Sequence, residues 1–281
     1  MTRRINYLSE IAQQFDAIVL DQWGVLHNGR SSYEGAVGCL SNLNASGCRL
    51  AVLSNSGKRA ASNADRIAAM GFEHKLFEVV LTSGEVLWQD IAHNLVPESS
   101  FFPIERAAGD AAQWAEGLEI YLMDHPGAAQ ALLLMGLPDE MEPNDFIPAL
   151  ETARARNLPV FCTNPDRASP RANGQTVLSP GALAHAHSAS GGDVRFYGKP
   201  YLPTFRALES ALGAKPKRLL MVGDSLEHDI AGANAAGWST CFVESGLHAA
   251  ELLSSDQDTA LQQLVTACKA PLPDYVISRL Q

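Results

Sequence analysis

Transfer of a phosphoryl group to a carboxylate needs an anionic nucleophile, a divalent cation to offset charge repulsion, and donors around the phosphate oxygens. The sequence holds a candidate for each. Asp21 directly follows the apolar run Ala17-Ile18-Val19-Leu20 and precedes Gly24, where a missing side chain allows a close backbone approach. This placement suits a nucleophile. Asp224 and Asp229, in Gly223-Asp224-Ser225-Leu226-Glu227-His228-Asp229, offer hard oxygen ligands of the kind magnesium takes. Ser54-Asn55-Ser56 supplies a hydroxyl and loop N–H groups for phosphate, and Lys199, in Gly198-Lys199-Pro200, is a point charge that could orient Asp21 and neutralise phosphate. Taken singly, each segment also reads as a cap or turn. Their joint occurrence in this order points to phosphoryl chemistry.

The elements that must position these residues are legible in the apolar runs. Ala17–Leu20 ends at Asp21, Leu50–Leu53 at Ser54, Leu219–Val222 at Gly223-Asp224, and Thr240–Val243 at Glu244. Near-continuous apolar runs alternating with amphipathic stretches predict parallel strands covered on both faces. Helices are expected over Ala60–Met70, Leu202–Leu212 and Asp229–Ala236, the first and last closed by Gly71 and Gly237. Ligands of such sheets bind outside the carboxyl ends of the strands, so Asp21, Ser54 and Asp224 should meet at one edge.

Residues 86–193 break this rhythm and read as an inserted domain with strands at Ile120–Met123 and Pro159–Cys162, and an Asn173-Gly174 turn before Thr176–Leu178. Ser188-Ala189-Ser190-Gly191-Gly192 reads as the linker back. The fold expected is an α/β, doubly wound parallel-sheet core over residues 1–85 and 194–281, carrying an α/β cap over 86–193.

In their order these residues resemble the four motifs of the haloacid dehalogenase superfamily: Asp21-Gln22-Trp23-Gly24-Val25, Ser54-Asn55-Ser56, Gly198-Lys199-Pro200, and Gly223-Asp224 through Asp229. The long insert, with Cys162-Thr163-Asn164-Pro165-Asp166 and Pro180-Gly181-Ala182-Leu183-Ala184, is similar to the subfamily IIA cap of the nitrophenyl phosphatase and phosphoglycolate phosphatase group. The resemblance implies a Rossmann-like core and a phosphatase that works on a small phosphorylated metabolite through an aspartyl-phosphate. It implies magnesium held by Asp21, the Trp23 carbonyl and Asp224, with Asp229 behind them, and phosphate met by Ser54 and Lys199. Asp124-His125, after a cap strand, would belong to a substrate-selecting loop, and the group admits a homodimer.

One position departs from the family pattern. Phosphatases of the family place a second Asp two residues after the nucleophile as acid and base, and here that residue is Trp23. The metal-binding carbonyl survives and the acid does not, so turnover should be slow or favour leaving groups that need no proton. The alternatives are a non-catalytic phosphometabolite-binding or regulatory protein, and a phosphotransferase. His27 and His228 either substitute as acid and base or pack and cap. Trp23 itself reads either as an aromatic lid or as a platform for a substrate ring. His185-Ala186-His187 reads as solvated surface, Trp88, Trp114 and Trp238 as core or interface, and Arg167 and Arg171 as contacts for an anion or as an exposed turn.

Composition narrows the partners. A formal net charge of -10 over 281 residues disfavours a nucleic-acid backbone, which is bound through clustered Lys and Arg. The chain has no apolar run long enough for a membrane span, and no signal-peptide core follows Met1-Thr2-Arg3-Arg4-Ile5-Asn6, so the expected location is the cytoplasm. Cys39, Cys48, Cys162, Cys241 and Cys268 lack the spacing of a zinc site or disulfide framework and read as small buried apolar residues.

Overall fold

The computed structural model describes residues 2–138, 142–170, 176–253 and 256–281. Their chain divides into two compact units, one of residues Met1–Ser54, Ala64–Leu81 and Lys199–Gln281, the other of Asn55–Asn63 and Thr82–Gly198.

In the first unit the apolar runs form the predicted strands. Ala17–Leu20 and Leu219–Gly223 are buried at every residue, which requires apolar side chains on both faces and leaves no alternation to see. Among the described residues the sheet has seven strands in the order Arg3–Ile5, Tyr275–Ile277, Ser239–Val243, Leu219–Gly223, Ala17–Leu20, Leu50–Ser54, Val79–Thr82. The first six are joined in parallel. Ala17–Leu20 lies between Leu219–Gly223 and Leu50–Ser54, so the residues after these three strands emerge side by side at one sheet edge. Leu20, Leu40, Leu50, Val52, Val222 and Ile277 belong to the apolar core on one face, while Leu226, Ile230, Phe242 and Leu261 pack on the other. Each fully buried Leu or Ile contributes about 1.5–3 kcal/mol.

Helix boundaries shift by local hydrogen bonding. Ala60–Ala68 stops two residues before the expected Met70, because Gly71 adopts φ +99° and donates its N–H to Ala68 O. The helix expected from Asp229 begins as a wider turn over Leu226–Ile230, with Ile230 N–H bonded five residues back to Ser225 O, and becomes α-helical at Ala231–Ala236.

The second unit carries its own parallel sheet of five described strands, in the order Val194–Phe196, Val160–Cys162, Ala131–Leu134, Ser100–Ile104, Tyr121–Leu122. Ile120–Met123 is thus shorter than expected. Ala168–Pro170 and Thr176–Leu178 form an antiparallel ribbon. The Asn173-Gly174 turn and Arg171 lie outside the described residues. Two expectations are corrected here. Ser188-Ala189 are the last residues of the helix Pro180–Ala189, and Ser190 to Gly192 close it, with Gly191 at φ +86°, before the strand Val194–Phe196 joins the five-stranded sheet. They end a helix and do not link domains. His185-Ala186-His187 is not solvated surface: His187 is 6% exposed beside Gly192, and His185 stacks on Phe196 with ring centroids 4.7 Å apart. The missed signal is helical spacing, which turns His187 inward with Leu183 and Ala184.

Trp114 and Trp238 are buried, whereas Trp88 is half-buried beneath the Arg59 guanidinium, 3.7 Å from the ring centroid. Cys39, Cys162 and Cys241 are buried as expected, and Cys48 and Cys268 are half-buried. No helix among the described residues is long and apolar enough to cross a membrane.

Candidate active site

Two strand ends, the turn Leu226–Ile230 and one buried lysine make a charged cluster in the first unit. Lys199 Nζ donates to Asp21 Oδ1 and to Asp229 Oδ1, both at 2.6 Å. Asp224 completes the group: Asp21, Asp224 and Asp229 each offer an oxygen within 4.8 Å of the others. Asp21 keeps 14% of its side chain exposed against 1% for Asp229, so Asp21 is the carboxylate a ligand can reach.

The backbone around these carboxylates is held close by glycine. A Cβ on Gly24 or Gly246 would overlap the Asp224 carboxylate, and one on Gly223 would overlap that of Asp229. Gly24, at φ +85°, therefore makes room for Asp224 itself, a reason that spacing alone could not supply. Leu247 N–H donates to Asp224 Oδ2 at 2.7 Å, and Ser225 N–H to Asp229 Oδ2 at 3.0 Å. The Gly246-Leu247 contribution escaped sequence reading. Its only signal is a glycine two residues beyond the strand end at Glu244.

Three buried carboxylates share one ammonium. Burial pushes the Asp21 carboxyl up to about 7, against the pull of Lys199, and pushes Asp224 well above its usual range, reinforced by Asp21 and Asp229. Burial also works against the charge of Lys199, but the two carboxylates outweigh it and hold the ammonium above its ordinary range. Counted as ions, the cluster carries three negative charges and one positive. A hard divalent cation would cancel the residue, and oxygen donors are its preferred ligands. The donor set fits magnesium.

The remaining sequence candidates fall as follows. Ser54 closes its strand and is buried in the first unit. Asn55 and Ser56 belong to the second unit, where Asn55 Nδ2 donates to Asp166 Oδ1 at 2.7 Å and Ser56 Oγ accepts from Asn63 Nδ2 at 3.1 Å. Asp124 and His125 are exposed, and His125 Nδ1 accepts from Gly127 N–H at 3.0 Å, capping the turn Pro126–Ala128. Arg167 is exposed. His228 takes part in a cap, its ring Nδ1 3.0 Å from Ser225 Oγ. Trp23 is half-buried, with its indole Nε1 against Gly29, where a Cβ would come within 3.2 Å.

His27 is 1% exposed, and its Nδ1 accepts from Gly29 N–H at 3.1 Å, so the ring is neutral with its proton on Nε2. Burial, then the charge of Arg66, lower its pKa to about 4 from 6.5. A depressed histidine makes the unfolded chain the better proton binder between those values. Its stabilising contribution is complete above pH about 6.5 and is lost as pH falls towards about 4, on the order of 3 kcal/mol at most. Denaturant unfolding at pH 7 and pH 4.5 should show a larger loss for the native chain than for His27→Asn. Equal losses would mean that His27 does not titrate in this way.

Models of the haloacid dehalogenase-like hydrolase family match residues 18–108 and 130–237, and a HAD-hydrolase-like model matches 196–280. D-glycerol 3-phosphate phosphatase of Mycobacterium tuberculosis is 30% identical over 247 residues, covering 86% of this chain and 67% of that protein. Chronophin of Mus musculus is 27% identical over 252 residues, covering 87% and 86%. The crystal structure of a haloacid dehalogenase-like hydrolase from Brucella suis superposes with a TM-score of 0.81 at 28% identity, covering 99% of this chain and all of that one.

Proposed function

The chain belongs to the haloacid dehalogenase-like hydrolase family, as a phosphoric monoester hydrolase of subfamily IIA, and from that premise we propose a magnesium-dependent phosphatase for small phosphorylated metabolites, working through an aspartyl-phosphate on Asp21. The observation that carries the reading is the Lys199 ammonium held between Asp21 and Asp229 with Asp224 as third carboxylate. Residues 86–193 are taken as the cap that selects the substrate, with Asp124 and His125 on its selecting loop.

Asp21, Asp224 and the Trp23 carbonyl would hold magnesium, with Asp229 behind them, and the ion would neutralise charge as the carboxylate meets the phosphate. The Asp21 oxygen attacks phosphorus, and the bond from phosphorus to the leaving oxygen breaks. Lys199 keeps Asp21 oriented and offsets charge, while Ser54, Asn55 and Ser56 supply donors to the phosphate oxygens. Water then cleaves the aspartyl-phosphate, releasing phosphate and restoring Asp21.

The first step leaves an oxyanion that most alcohols cannot sustain. Among the described residues of the first unit, Lys199 is a poor acid because two carboxylates hold its proton, His27 is neutral, the His228 ring is engaged with the Ser225 hydroxyl, and the Trp23 indole is no acid near neutral pH. Absent general acid help costs ~10²–10⁴-fold. Acyl and aryl phosphates escape most of that cost. Phosphate release from a panel of acyl, aryl, sugar and nucleotide phosphates should stop on chelation, return with magnesium, and run about 10²-fold faster on acyl and aryl substrates. Activity indifferent to chelation, or equal rates on alkyl and acyl phosphates, would overturn the reading.

Trp23 also favours a second reading, transfer of the phosphoryl group to another acceptor, because the same missing residue would activate water. A long-lived phospho-enzyme discharged by an added alcohol faster than by water would select it.

A further inference from the structure

Asp224 is 3% exposed, and its two carboxylate oxygens are not equivalent. Leu247 N–H donates to Oδ2 at 2.7 Å, and among the described residues it is the one hydrogen-bond donor to this carboxylate. The backbone closes on the same oxygen from two further sides. A Cβ on Gly24 would overlap Oδ2 but stay 3.1 Å from Oδ1, and one on Gly246 would overlap Oδ2 and the Asp224 Cβ, both nearer to it than Oδ1. We infer that the Leu247 amide is a positioning group that keeps Oδ2 for itself and leaves Oδ1 as the one Asp224 oxygen a magnesium ion can take, which rests on the metal-binding part of the reading above.

The N–H is aimed by the chain on either side of it. Glu244 N–H donates to Ile277 O at 3.0 Å and Ser245 N–H to Ser278 O at 2.9 Å, which carries the pairing of Ser239–Val243 with Tyr275–Ile277 past the strand end. Arg4 Nη1 holds the Glu244 carboxylate at 2.9 Å. Ala249 N–H then donates to Gly246 O at 3.1 Å, closing a four-residue turn in which Leu247 is second. The Leu247 residue is 47% exposed, so what it gives the site is its backbone. All of these residues lie in the first unit with Asp21 and Asp229, and the cradle is complete within it. A group that bonds one face of a metal ligand fixes the direction of the other, which is how the surroundings of a metal site tune its affinity.

Two measurements test this without recourse to turnover. The first is hydrogen exchange read at the Leu247 amide, which should be about tenfold slower, or more, in the native chain than in Asp224→Ala, as loss of a hydrogen bond to a charged group implies. Saturating MgCl2 should not speed it. Calcium is the stricter probe, because it accepts carboxylates through one oxygen or both, and CaCl2 should likewise leave the amide slow. The second is magnesium affinity by calorimetry on a chain in which Leu247 is incorporated as its α-hydroxy acid, so that an ester oxygen replaces the N–H and the shape is kept. Its Kd for MgCl2 should rise by about 10- to 100-fold, the usual cost of removing a group that orients a metal ligand. Gly246→Ala, whose Cβ displaces the carboxylate, makes the same comparison where the ester chain does not fold. A Kd within about threefold of the native value, less than the loss of such a bond entails, would overturn the role, and so would a Leu247 amide that exchanges faster with either metal, since Oδ2 would then have gone to the ion. No magnesium binding by the native chain would instead remove the metal reading, and this role with it.

Discussion

Asp21→Asn should lower phosphate release by ~10⁴-fold or more, because the variant keeps the shape of the side chain and loses the nucleophile. The fold should survive. Lys199 retains Asp229 at 2.6 Å, and removing one of three clustered carboxylates relieves repulsion where burial already pushes the Asp21 carboxyl up to about 7. The metal-free variant should therefore unfold at a temperature no lower than the native chain does. Acid quench during turnover of an acyl phosphate should preserve an aspartyl-phosphate on the native chain, hydroxylamine should then displace its phosphate and leave a hydroxamate at Asp21, and Asp21→Asn should remain unmodified. Release within tenfold of the native rate would remove Asp21 from its proposed part, and a collapsed fold would show that its ionised form is structural.

Trp23→Asp should raise turnover of alkyl phosphates by ~10²-fold or more, and of acyl phosphates only slightly. A carboxylic acid two residues beyond Asp21 would supply the leaving-group proton and then draw a proton from water, each within the usual ~10²–10⁴-fold worth of acid and base help. Acyl phosphates gain little in the first step because their leaving carboxylate needs no proton. Trp23→Asn is the control, since it removes the indole from Gly29 to the same extent and adds no acid. A gain in both variants would mean that the ring obstructs substrate, and a gain in neither would place the missing acid elsewhere.

Much of the fold was legible because its strands are buried on both faces. Ala17–Leu20, Leu50–Ser54 and Leu219–Gly223 stand out as unbroken apolar runs, and a polar residue at each end marks where the chain leaves the sheet. Gly71 and Gly237, both at positive φ, marked helix ends for an equally local reason. The short strand Tyr121–Leu122 and the burial of His187 were less legible, since packing partners distant in sequence decided them.

Legible in the chain order alone are therefore the family, the strands and the candidate residues at their ends, because strand periodicity and motif order are local properties of the chain. The tertiary structure alone decided how those residues pair. Lys199 bridges Asp21 and Asp229 across 178 and 30 residues of chain, Leu247 N–H reaches Asp224, and Gly24 and Gly246 stay bare to admit that carboxylate. Such choices follow from which groups must share one buried charge, and that balance exists only once the strands lie side by side.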